Sequence, residues 1–186
     1  MIFGWEMPAS MTQFFNPFFI ILFGSIFSIM WVKLSQIGKN PSIPLKFCFG
    51  IVQLALGFLL TKLGFQFVNE AYQVPILTLV FLYMLHTTGE LFLSPIGLSM
   101  VTKLSPKSMA GTAMGAWFLS FAIANYAGGK IAAITGGHSG GEAVSAEAGL
   151  LQYLDVFSTI GYVLLIIAAI IFLLNKPIKK LMHGVE

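Results

Sequence analysis

Tyr83-Met84-Leu85-His86-Thr87-Thr88-Gly89-Glu90-Leu91-Phe92-Leu93-Ser94-Pro95-Ile96-Gly97-Leu98-Ser99 lies inside a long apolar run and carries a carboxylate at its middle. A charged side chain at the centre of a membrane span costs about 2.5–3.5 kcal/mol even on lenient insertion scales. Residues three and four apart share a helix face. Read as a helix, the segment gathers Tyr83, His86, Thr87, Glu90, Ser94 and Gly97 into one polar stripe, with Leu82, Leu85, Phe92 and Ile96 off it. Such a stripe must face a protein interior or a water-filled cavity. Pro95 cannot donate to the Leu91 carbonyl, so a bend is expected just past Glu90.

The rest of the chain supports reading that run as a membrane span. Of 186 residues, 57% are hydrophobic and 9% are charged, with mean hydropathy +0.88. Soluble domains hold about 25% charged residues, so a soluble enzyme or nucleic-acid binder is excluded. An all-α, polytopic membrane protein is expected. Five segments are apolar over the ~20 residues that a bilayer-crossing helix needs. They fall at about 17–35, 45–63, 75–101, 109–134 and 154–174, in a single membrane domain covering 1–186. Asn16 reads as the N-cap of the first, with Pro17 as its opening helical residue.

All ten basic residues are lysines, and eight of them follow the first, third and fifth spans: Lys33, Lys39, Lys46, Lys103, Lys107, Lys176, Lys179 and Lys180. Lys62 and Lys130 fall on the other side with Glu6, Glu70, Glu142, Glu147 and Asp155. This asymmetry places the lysine-rich loops in the cytoplasm and the amino terminus outside the inner or plasma membrane. Residues 1–13 have no basic start or cleavage motif, so no secretory leader is expected. An odd number of spans starting outside without one suggests upstream helices, on the same chain or on another polypeptide. The Gly-, Ala- and Ser-rich stretch from Thr135 to Tyr153 reads as a flexible external loop. Neither it nor Gly128-Gly129-Lys130 has phosphate-loop spacing.

Without arginine there is no bidentate clamp for phosphate or carboxylate. With Cys48 alone there is no internal disulfide or multi-cysteine metal site, and no metal or cofactor is expected. A buried acid with no cation of its own suits a substrate ammonium or an exchangeable proton. Glu90 is therefore the leading substrate and proton candidate, with His86 a second proton candidate. The plainer reading is a structural hydrogen-bond knot tying a protonated Glu90 to His86 or Ser94. Trp117, deep in the fourth span, reads as a pocket wall beside Ser120, Phe121 and Asn125. Small residues Gly111, Gly115, Ala124 and Gly128 suit close helix approach. Catalysis by His86 and Ser94 is disfavoured, since they sit two turns apart, roughly 12 Å by helix rise.

The Leu85–Ser99 run continues into Val101-Thr102-Lys103-Leu104-Ser105-Pro106 and then Met114-Gly115-Ala116-Trp117-Phe118-Leu119-Ser120. Together with Asn16-Pro17-Phe18-Phe19-Ile20 and Pro41-Ser42-Ile43-Pro44-Leu45-Lys46-Phe47, it closely resembles the carboxy-terminal half of the proton-dependent oligopeptide transporter family. That family is a branch of the major facilitator superfamily. The resemblance implies that the five spans are the eighth to twelfth helices of that fold. It implies proton-coupled symport of di- and tripeptides, with Glu90 binding the peptide amino terminus, Asn16 assisting, and Ser94 and Trp117 lining the cavity. The family's acidic proton-coupling motif and its peptide-carboxylate clamp belong to the first half, which has no counterpart here. The partners implied are a peptide, protons, the lipid bilayer and an amino-terminal half; no nucleic acid is expected. The alternative is a non-transporting membrane subunit, or an inactive truncated fragment, that packs against other membrane helices.

Overall fold

A computed structural model describes residues 9–135 and 145–183 of the chain, and every regular element among them is helical. A single turn, α1 (Ala9–Thr12), leads into α2 (Phe15–Gln36), α3 (Ile43–Phe65) and α4 (Ile76–Leu104). A short 3₁₀ turn (Lys107–Met109) opens α5 (Ala110–Thr135), followed by α6 (Ala146–Leu173) and α7 (Asn175–Leu181). The five long helices overlap the five segments expected to span. Four of them, α2, α3, α4 and α6, are long and apolar enough to cross a membrane. The exception, α5, has the length, about 39 Å at 1.5 Å per residue, but Gly, Thr, Ser, Asn and Lys dilute its apolar content.

The ends differ from expectation for local reasons. Asn16 is not the N-cap of α2: the helix begins at Phe15, after Phe14 in helical conformation with no side-chain cap. Pro17 then falls in the first turn, where a missing N–H leaves no ladder bond unmade, and the Asn16 side chain is released for other work. The other end of α2 closes on Gly38 at φ 66°, whose N–H bonds back to Ser35 while Lys39 bonds back to Leu34. The largest correction is at α6, which starts at Ala146 rather than near 154. Ser145 caps it by accepting from the Ala148 N–H, and Glu147 complements the positive end of the helix dipole. Residues 146–153 are therefore helix, and the glycine-rich part of the expected loop, 136–144, lies outside the described residues.

Between apolar helices in a bilayer, association depends on close packing more than on burial from water. The α3–α4 seam achieves it with glycine. A Cβ on Gly50 would stand 2.8 Å from the Gly89 carbonyl oxygen, and a Cβ on Gly89 2.8 Å from that of Gly50. Gly64 receives Thr78, and Gly161 of α6 receives Leu59. The core runs along α3, where Ala55 is fully buried, while α2 crosses α4 and α5 leans on its far end. α4 continues as helix through Pro95. The lysine-rich ends are tied together: Ser42 Oγ donates to Asn175 Oδ1 at 2.6 Å, and Met182 is buried against the start of α3.

Candidate functional site

The polar stripe of α4 opens onto an open-sided cavity of about 710 Å³ lined by α2, α3, α4 and α5. Tyr83, His86, Glu90 and Ser94 supply its α4 wall, Asn16 its α2 corner, and Trp117 and Ser120 its α5 wall. All five expected site residues, Asn16, His86, Glu90, Ser94 and Trp117, thus come to one space from three helices. The stripe's other members hold the walls together. Thr87 is fully buried beneath Asn16. Gly97 makes room for the Trp117 indole, which a Cβ there would strike.

Asn16 joins α2 to α4. Its Nδ2 donates to Glu90 Oε2 and to Thr87 Oγ1, both at 3.3 Å. These are long contacts, past the 2.7–3.2 Å of a strong N–H···O bond, so the amide positions the carboxylate without neutralising it. Among the described residues no ammonium lies within ion-pair distance of Glu90. The hydrogen-bond knot to His86 or Ser94 does not form; the partner of Glu90 is the amide of another helix.

His86 stands differently. Its ring packs 4.5 Å from the Phe58 ring centroid and fills the notch left by Gly57, where a Cβ would come within 2.5 Å of Cδ2. Its Nε2 is buried with no hydrogen-bond partner. An unpartnered imidazole nitrogen at the α3–α4 seam is a group that can take up a proton only if a partner or water reaches it. Trp117 is half-buried, with Phe121 edge-on at 6.1 Å, and Ser120 Oγ donates to the Trp117 carbonyl at 2.6 Å.

Sequence reasoning missed the α3 wall, Phe47, Ile51 and Leu54, and with it Leu93 and Ala124. Apolar residues of a uniformly apolar helix carry no mark of which face meets a cavity. The Asn16–Thr87 tie was equally hidden, since it spans 71 positions. A glycine such as Gly57, mid-helix in an apolar run, is the signal that could have shown where His86 seats.

The comparisons with known proteins follow this geometry. A family model described as POT family, PTR2, matches residues 1–144. Dipeptide and tripeptide permease A of Edwardsiella piscicida is 35% identical over 183 residues, covering 98% of this chain and 36% of the permease. Peptide transporter YePEPT of Yersinia enterocolitica is 37% identical over 189 residues, covering 100% of this chain and 35% of that protein. Among solved structures, a crystal structure of peptide transporter POT in complex with sulfate aligns with TM-score 0.81 at 31% identity, over 98% of this chain and 34% of that one. The chain spans about a third of the length of the curated relatives it matches.

Proposed function

We propose that this chain, which belongs to the POT family, forms the part of a proton-coupled di- and tripeptide symporter that receives the peptide amino terminus. It is a multi-pass membrane protein and a transporter component rather than an enzyme. Glu90 takes the substrate ammonium, Asn16 holds that carboxylate in place, and Ser94 and Trp117 shape the space around the first peptide unit. The observation that carries this reading is the carboxylate itself: it faces a cavity of about 710 Å³ with only an amide donor against it. That volume falls within the roughly 300–1,000 Å³ of small-molecule sites. An ammonium arriving there makes a charge-assisted bond that the resting site lacks.

Glu90 is also the leading group for proton coupling, because a carboxylate can hold either a proton or the substrate cation, and His86 is the second candidate. The peptide carboxylate needs a cation, and among the described residues no lysine lines this cavity, so an amino-terminal half, on the same or another chain, completes the site. Two halves rocking about a midplane site give alternating access in facilitator folds. The lysine-rich ends face the cytoplasm and the amino terminus faces outward, following the lysine asymmetry.

The test is uptake of a labelled dipeptide under an imposed proton gradient by the complete transporter. Glu90→Gln keeps shape and removes charge, and gradient-driven accumulation is expected to fall at least about tenfold, the factor that ~1.4 kcal/mol of lost charge-assisted bonding gives. Accumulation equal to that of the parent protein would refute the role of Glu90.

A further inference from the structure

A second cavity, of about 460 Å³, lies at the opposite end of the bundle from the lysine-rich loops. Its walls are Lys62, Phe65 and Gln66 from the end of α3 and Leu154, Asp155 and Ser158 from the first half of α6, and it shares no residue with the peptide cavity. Ser158 is 6% exposed, and its Oγ has no hydrogen-bond partner. A helical serine normally satisfies its hydroxyl on the carbonyl three or four residues back, and here it does not. Lys62 Nζ donates to the Tyr162 hydroxyl oxygen at 3.2 Å and lies 5.0 Å from that ring's centroid. That bond uses one of its three N–H donors. Lys62 and Asp155 line one cavity, yet they do not form an ion pair.

We infer that this cavity holds the headgroup of a phospholipid carrying a primary ammonium, as in phosphatidylethanolamine. The site offers an anion and a cation held apart, plus a buried hydroxyl with nothing bound to it, so its occupant carries both charges. The headgroup ammonium donates to the Asp155 carboxylate and, once the buried Ser158 hydroxyl turns toward the cavity, to Ser158 Oγ, and the phosphate accepts from Lys62 and Gln66. A trimethylammonium has no N–H and cannot make the first two bonds. Position selects a lipid over a soluble zwitterion. Lys62 lies one turn from the end of a helix long and apolar enough to cross a membrane, which puts the cavity near the headgroups, and further along α6 Tyr162 and Ile166 are exposed side chains against which acyl chains can lie. The inference goes beyond peptide transport and rests on none of the residues assigned to it.

The experiment reconstitutes the protein in mixed vesicles of phosphatidylethanolamine and phosphatidylcholine with matched acyl chains, extracts it into detergent, and counts retained lipids by native mass spectrometry. Retention of phosphatidylethanolamine over phosphatidylcholine is expected at about fivefold, a ratio of the size one charge-assisted bond confers. Asp155→Asn and Lys62→Gln should each bring the ratio close to one, whereas Lys130→Gln, a charge removed on α5, should leave it unchanged. Should Asp155→Asn fail to fold, Ser158→Ala carries the same comparison, with a smaller drop expected. Equal retention of both lipids by the parent protein overturns the inference, as does a ratio that survives these variants. Soluble phosphoethanolamine displacing the bound lipid at equal concentration overturns the lipid assignment, because the acyl chains would then contribute nothing.

Discussion

Asn16 Nδ2 stands 3.3 Å from two acceptors that lose different things when it is removed. Glu90 is exposed to the cavity and exchanges the amide for water or substrate. Thr87 is fully buried, so its oxygen loses a partner that water cannot replace, at a cost of about 1–3 kcal/mol. Asn16→Ala is therefore expected to lower the melting temperature. In a Thr87→Val background, where the acceptor is already gone, the same change should cost less by roughly 0.5–1 kcal/mol, the coupling expected of contacting residues. A double-mutant cycle of thermal unfolding in detergent reads this directly, and strict additivity would show that the tie carries no energy. The sequence named Asn16 as a helix cap and, by resemblance, as the helper of Glu90. The cap reading failed because capping preference is local, whereas the partners that release Asn16 from it lie 71 and 74 residues away. Glu90 was legible without coordinates, because a carboxylate in hydrocarbon requires an explanation wherever the helix turns.

The helices themselves were legible from hydropathy, but the contact between α3 and α4 was not, since away from the polar stripe of α4 both helices are apolar almost throughout. Their seam is decided by glycines that the sequence shows but does not pair. Gly50 and Gly89 approach backbone to backbone, and an alanine at either must push a carbonyl aside. Overpacking of this kind costs about 1–3 kcal/mol, so Gly89→Ala should lower thermal stability in detergent, while Gly111→Ala, where a Cβ meets nothing within 4 Å, should be near neutral or stabilising. Gly57→Ala meets a side chain instead, and His86→Ala is expected to rescue it. A rescue measured as negative coupling would confirm that the imidazole is what fills the notch. At the far end, the loop between α3 and α4 is pinned to the first turn of α6, where the Tyr72 hydroxyl donates to Glu147 Oε2 at 3.0 Å. That bond, and then the carboxylate's charge, hold the Tyr72 phenol above its ordinary 10.0. Because the folded value is the higher, the tie contributes fully below pH 10 and is lost as pH rises through the raised value. Tyrosinate absorbance should show a late-ionising component that Glu147→Gln moves down toward the ordinary tyrosine value. No late group in the parent protein would mean that the contact is not kept in solution.

At the scale of the whole molecule, the helices are unequally covered. In its most apolar window α2 is 6% buried, against 39% for α3, and a Cβ on Gly115, Gly128 or Gly129 of α5 would meet nothing within 4 Å. Inside a bilayer such apolar faces are covered by lipid or by other helices, and the chain spans about a third of its relatives' length. The sequence reading expects further helices, from an odd number of spans and from motifs lacking their first-half counterparts. It also assigned a direction, which the arrangement of helices alone does not supply: reversing the bundle in the bilayer leaves every internal contact intact. Only the lysine asymmetry breaks that symmetry, through the preference for basic loops on the cytoplasmic side. The prediction is therefore specific to the loops. Cysteines placed singly at Asn69, between α3 and α4, and at Lys107, between α4 and α5, should label oppositely with a membrane-impermeant thiol reagent applied to intact cells. Asn69→Cys should react from outside, and Lys107→Cys only after permeabilisation. The native thiol contributes little background, because Cys48 is 6% exposed and its Sγ donates to the Ala168 carbonyl at 3.4 Å. The reverse pattern would turn the molecule over and place its amino terminus in the cytoplasm. The peptide cavity would keep its geometry, but the lysine-rich ends would then face outward, against the charge rule that orients them.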